Sequence, residues 1–260
     1  MLHMQKITYI VKNILIINII LFLMNSFFKL DLINVFGLRF IFSDFFSPYQ
    51  FFTHIFIHAN FMHLAGNMFA LFFFGPALEN IMGSKKFLFF YIFVGVSASL
   101  LYLMINYYEI KKIKNIYYQY LYNPTPEKFS MYINNFSFEL YNIYYDFLDS
   151  FFSAPENKIL IKKSKSIAYN LYKTKIDIPI VGASGVIFGI LTAFAILFPN
   201  IELFILFIPI PIKAKYLAVF YGVYELYLAI QSNPSDNIAH FAHLGGILFA
   251  YFFIKYYKIN

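Results

Sequence analysis

Several polar side chains in this sequence stand in apolar surroundings, at spacings that could do chemistry. Five of the six histidines fall in two groups, His54, His58 and His63 in one and His240 and His243 in the other, with only His3 elsewhere. A serine, Ser184, is flanked by glycines in Val181-Gly182-Ala183-Ser184-Gly185. A serine where a helix begins lies beside unpaired backbone N–H groups and the positive end of the helix dipole, where a developing oxyanion can be held. Flanking glycines remove the Cβ atoms that would block a substrate carbonyl. Histidine suits the role of base because its pKa lies near neutrality. His63 and Asn67 are four apart, so a helix presents both on one face as hydrogen-bond donors. His243, Gly246 and Ala250 form a strip of one polar and two small residues at i, i+3 and i+7, and small residues let a neighbouring backbone come close.

Each of these features also has a plainer reading. Ser184 could cap a helix, and Gly185 with Gly189 could be a packing face. His63 and Asn67 could be interhelical hydrogen-bonding glue, and His240 a core histidine satisfied by a carbonyl. No single motif decides between chemistry and packing.

The elements that carry these residues are set by composition. The 260 residues are 60% hydrophobic and 13% charged, with mean hydropathy +0.64, about half the charge of a soluble domain. Lipid is the expected solvent for much of the chain. A membrane span needs about 20 apolar residues, and six candidates occur: about Ile14–Phe28, Phe51–Leu78, Phe87–Asn106, Gly182–Phe198, Tyr216–Ile230 and Ile238–Tyr256. The histidines thus fall on spans two and six and Ser184 on span four. The first span follows Lys6 and Lys12 with no small-residue cleavage site, so it is expected to be retained. Residues 29–50 read as an interfacial element. Residues 109–177 are the one long polar insertion, expected to form short amphipathic helices on the membrane surface. The fold class is therefore all-α, a single polytopic membrane bundle of six transmembrane helices over residues 1–260.

Eight lysines (Lys6, Lys12, Lys85, Lys86, Lys213, Lys215, Lys255 and Lys258) lie in short segments on one side of that topology, against Lys29 and Arg39 on the other. The positive-inside rule puts the eight, and both termini, in the cytoplasm and turns the insertion 109–177 outward. The formal charge of +7 is scattered between apolar runs, with Arg39 the one arginine, which argues against nucleic acid as a partner. Zero cysteines exclude a disulfide framework, thiolate metal ligation and a cysteine nucleophile. No His-Glu pair occurs, which excludes an H-E-x-x-H metalloprotease.

Taken together, the three polar segments resemble the rhomboid intramembrane proteases. That family's pattern is His-xxxx-His-xxx-Asn on the second core span, Gly-x-Ser-Gly on the fourth and Ala-His-xx-Gly on the sixth. This chain reads His58, His63, Asn67; Gly182, Ser184, Gly185; then Ala242, His243, Gly246, in that order. The resemblance covers roughly two-thirds of the chain, including Phe74-Gly-Pro-Ala-Leu-Glu79, and leaves the insertion 109–177 largely outside. It implies a bacterial six-helix core in the cell (inner) membrane, with Ser184 attacking and His243 as base and then acid. It further implies a dyad without an acidic third member. His63, Asn67 and the Ser184 N–H would form the oxyanion hole, with Gly182 beside them. Substrates would be membrane-anchored proteins, with no cofactor and no metal. Two departures stand out. Tyr49-Gln50 replaces a frequent Trp-Arg in the first outer loop, which bears on the loop's anchoring and not on the chemistry. Phe188 replaces a tyrosine one turn after the serine, which keeps a stacking surface for His243 without the hydroxyl.

Two further classes compete. A catalytically silent relative would bind transmembrane helices without needing Ser184 and His243 together. A proton or metal transporter would use the histidines, since imidazoles suit zinc, yet no acidic residue on spans two or six completes a ligand set. Glu225, on span five, is expected to snorkel toward the outer surface.

Overall fold

The computed structural model describes residues 6–136, 138–204, 211–231 and 239–259. Helix α1 (Tyr9–Phe27) opens the bundle, followed by a loop containing the short helices α2 (Leu32–Phe36) and α3 (Gln50–Thr53) and one 3-10 turn, His54–Phe56. Helix α4 (Phe61–Met82) starts ten residues later than the hydrophobic run predicts. The Asn60 side chain accepts from His63 N at 2.9 Å and caps α4 there. His54 and His58 therefore precede the span, and of the first histidine group only His63 lies in it. At its other end α4 runs past Leu78, so Glu79 is helical and buried. Its carboxylate accepts the N–H groups of Ile10 and Val11, both at 3.0 Å, at the otherwise unpaired start of α1.

Helix α5 (Ser84–Tyr122) is 39 residues long, against the 20 expected from hydropathy. No proline interrupts it before Pro124, so the polar residues after Asn106 continue the same helix. The insertion continues as α6 (Pro126–Asn134), α7 (Phe138–Ile143), α8 (Tyr145–Ser153) and α9 (Lys158–Asp177). These are helical, as expected, but they pack on one another and on the distal half of α5 around a core of their own. Phe129, Tyr132, Ile133 and Phe151 are fully buried in it, beside Tyr120 at 1% exposure.

Helix α10 (Ser184–Leu197) is only 14 residues, and α11 (Ala214–Gln231) and α12 (His240–Tyr256) complete the bundle. Strands β1 (Glu202–Phe204) and β2 (Pro211–Lys213) pair antiparallel between α10 and α11, a small departure from an all-α chain. Residues 205–210 and 232–238, the latter including the expected start of span six at Ile238, lie outside the described residues. Among the described residues, α1, α4 and α5 are long and apolar enough to cross a membrane, and α10 is a shorter apolar helix. The architecture is a polytopic helical bundle whose first core is built on α1, α4, α5, α10 and α12.

Candidate active site

Close packing of α10 on α12 positions the site. A Cβ placed on Gly246 would lie 1.9 Å from the carbonyl oxygen of Gly185, so the two backbones touch only because residue 246 is glycine; a Cβ on Gly185 would also be tight, 3.2 Å from Ala242 O. The spacing of His243 and Gly246 predicts this contact. It brings Ser184 Oγ to 2.8 Å from His243 Nε2, across 59 residues of sequence. Phe188 stacks on the His243 ring, with centroids 4.3 Å apart and planes 17° apart, as the family resemblance implies.

The approach to Ser184 is tied to the first loop. Leu38 and Ile180 exchange backbone hydrogen bonds of 2.9 and 2.7 Å, and Gly182 N donates to His54 O at 2.9 Å. Gly182 has φ +116°, a conformation that requires glycine, and a Cβ there would also meet the end of the His63 ring at 2.3 Å. Gln50, in the place of the family's arginine, is buried and anchors the loop. Its Oε1 accepts from Arg39 N and Ser47 N, and its Nε2 donates to Phe45 O at 3.0 Å.

His63 thus lies against Gly182, beside the serine. Asn67 is buried one turn further along α4, and its Nδ2 donates to His58 Nε2 at 2.9 Å. His54 Nδ1 bonds Gln50 O at 2.8 Å, which makes it part of the loop's scaffold. Both of these histidines precede the span, and burial pushes their pKa values down, to about 4 for His54 and about 3 for His58, so both rings are neutral.

Glu225 contradicts its expected role. It does not snorkel outward: it is 6% exposed, and its Oε2 lies 2.7 Å from His240 Nδ1 and 2.8 Å from His243 Nδ1. The expectation of a histidine with no acidic neighbour fails with it, and His240 too has this carboxylate as a partner. The missed signal is positional. Glu225 stands six residues before the end of α11 and His243 three residues after the start of α12, depths within about 5 Å of each other at 1.5 Å rise per residue. Glu225, His240 and His243 also offer three ligand-type atoms within 4.8 Å of one another, a set able to hold a divalent cation.

The fold and this site define a polytopic helical membrane protein with a serine and a histidine paired inside the bundle. A model of the Rhomboid domain matches residues 46–110 and 159–258, and the chain belongs to that family. The gap between the two matched blocks falls on the helices of the insertion. The chain is also similar to "Rhomboid-like protein 11, chloroplastic" of Arabidopsis thaliana, 35% identical over 89 residues, which is 34% of this chain and 30% of that protein.

Proposed function

We propose that this protein is an intramembrane serine endopeptidase that hydrolyses a peptide bond in the transmembrane segment of a membrane-anchored protein. The observation that carries the reading is the 2.8 Å contact between Ser184 Oγ and His243 Nε2, made by two helices that only glycine allows to touch. Ser184 attacks the scissile carbonyl carbon while its proton passes to Nε2, and the imidazolium returns that proton to the leaving amine. A water then repeats the sequence on the acyl-enzyme. The oxyanion is held by the Ser184 N–H, at a helix start with no partner one turn back, by His63 beside Gly182 and by Asn67. Asn67 has two amide hydrogens and uses one on His58, which leaves the other for substrate. A substrate helix satisfies its own carbonyls, so it must unwind locally to present the scissile bond. The lysine distribution supports a multi-pass placement in the cell membrane with both termini cytoplasmic and 109–177 outside.

The test incubates purified protein with a model transmembrane substrate, comparing wild type with Ser184→Ala and His243→Ala. The expected result is a product band that requires both residues, together with fluorophosphonate labelling that vanishes in Ser184→Ala. A wild type that neither cleaves nor labels, yet retains the substrate helix, would instead make this a silent helix-binding relative.

A further inference from the structure

We infer that Glu225 is a positioning residue for the Ser184–His243 pair, so that the site works as a serine–histidine–glutamate triad with His240 as the second donor to the carboxylate. The inference rests on the protease reading and adds to it an acidic member on α11.

The argument begins with solvation. A carboxylate inside a membrane bundle is costly and persists where it is paired. Glu225 is 6% exposed, and a single oxygen, Oε2, faces two imidazole nitrogens at 2.7 and 2.8 Å. A carboxylate oxygen accepts, so Nδ1 of His240 and Nδ1 of His243 donate to it. This assigns the tautomer of His243. With its proton on Nδ1, Nε2 carries the lone pair, and Nε2 is the atom 2.8 Å from Ser184 Oγ. The opposite tautomer would place a hydrogen between Nε2 and the serine oxygen and leave no base. The ring is fixed from three directions: Glu225 at Nδ1, Ser184 at Nε2 and Phe188 across its face.

The same arrangement assists the charged step. When the Ser184 Oγ–H bond breaks, its proton goes to Nε2, the oxygen's electron pair forms the bond to the scissile carbon, and the carbonyl π pair moves to oxygen. The imidazolium so formed faces the Glu225 carboxylate, which stays ionised and moves no proton. His240 completes the carboxylate's hydrogen bonding so that it can remain charged in apolar surroundings.

Glu225→Gln tests this, because an amide keeps the shape and loses the charge. By comparison with the amide-for-acid change in soluble triads, kcat is expected to fall by about 10²–10⁴ with KM little altered. A role confined to holding α11 on α12 would lower thermal stability and leave the kcat of the folded variant in place. Wild-type kcat in Glu225→Gln would overturn the inference. Should the variant not fold, ¹⁵N chemical shifts of the histidines in the wild-type protein read the tautomer directly. A proton on Nδ1 of His243 supports the inference and a proton on Nε2 refutes it. Turnover lost on chelation and restored by zinc would also refute it, because Glu225, His240 and His243 would then be ligands. Wild-type protein that neither cleaves nor labels at Ser184 removes the protease reading itself, an outcome distinct from active wild type with an equally active Glu225→Gln.

Discussion

Around Ser184 the packing is set by missing side chains, and around Tyr120 by bulky ones. At the crossing of α10 and α12, two glycine backbones touch, and the polar atoms between the helices are few and paired. In the insertion, Tyr117 stacks on Tyr172 with centroids 5.0 Å apart, and Tyr120, Phe129, Tyr132 and Phe151 fill the centre between helices. The exposed face of α9 carries Lys158, Lys162 and Lys163. The bundle belongs to a membrane protein, whereas the insertion carries charge on an outer face. Lipid gives helices no hydrophobic reason to associate, so close backbone approach and hydrogen bonds must hold them. Helices with a charged outer face can instead be held by burying large apolar surface. Helix α5 belongs to both, with Phe87, Phe90 and Val94 in the first core and Ile110, Ile113 and Tyr117 in the second.

The sharpest way to break this contrast is to add bulk where bulk is absent. Gly246→Leu puts a branched side chain where a single Cβ already falls 1.9 Å from Gly185 O. Backbone cannot yield as a flexible side chain does, so the helices must separate, beyond the ~1–3 kcal/mol of ordinary overpacking. Turnover is expected to fall to the Ser184→Ala background, with fluorophosphonate labelling lost. Retained labelling would mean that the crossing tolerates bulk and that glycine is not what sets the site.

The converse change removes bulk where bulk is the support. Phe129 is fully buried, and Phe129→Ala is expected to cost the insertion about 3–5 kcal/mol. Limited proteolysis within 109–177 should speed up while Ser184 still labels. Simultaneous loss of labelling would show that the two cores are one cooperative unit, joined through α5 and through the Lys173–Asp44 and Ser43–Asp177 contacts with the first loop.

The same difference explains what could be read from the sequence. In the bundle a polar or small residue is conspicuous against an apolar background, so Ser184, His243 and Gly246 stood out by type and spacing, while the stacking of Phe188 followed from the family resemblance. Glu225 was visible as a type but not as a partner, because its meeting with His243 depends on two helices of a hairpin having matching depth. The start of α4 was misplaced since hydropathy does not register a cap: Phe51–Ile57 is as apolar as the helix it precedes, and Asn60 decides where that helix begins. In the insertion more than every third residue is aromatic or lysine. Short amphipathic helices were expected there, but the mutual packing of α6, α8 and α9 was not legible, because an apolar face shows which side of a helix is buried and not which helix covers it.

Within the site, Asn67→Ala tests whether the face of α4 takes part in chemistry. Turnover is expected to fall about 10²–10³-fold, with substrate affinity little changed. Wild-type turnover would confine Asn67 to holding His58.

The smallest expected effect concerns the nature of the second core. Tyr132 OH donates to Ala168 O at 2.9 Å, joining α6 to α9. The Ala168 carbonyl lies inside α9, where it also accepts from the helix backbone, so removing the hydroxyl leaves no acceptor stranded. Tyr132→Phe keeps the ring among Tyr117, Tyr120 and Phe136 and deletes one hydrogen bond. The expected loss is about 0.5–1.5 kcal/mol, read as a small drop in the melting temperature of the insertion. A loss as large as that of Phe129→Ala would mean that hydrogen bonding, and not aromatic bulk, holds the insertion together. The two regions would then obey one rule, with polar contacts as the glue in both.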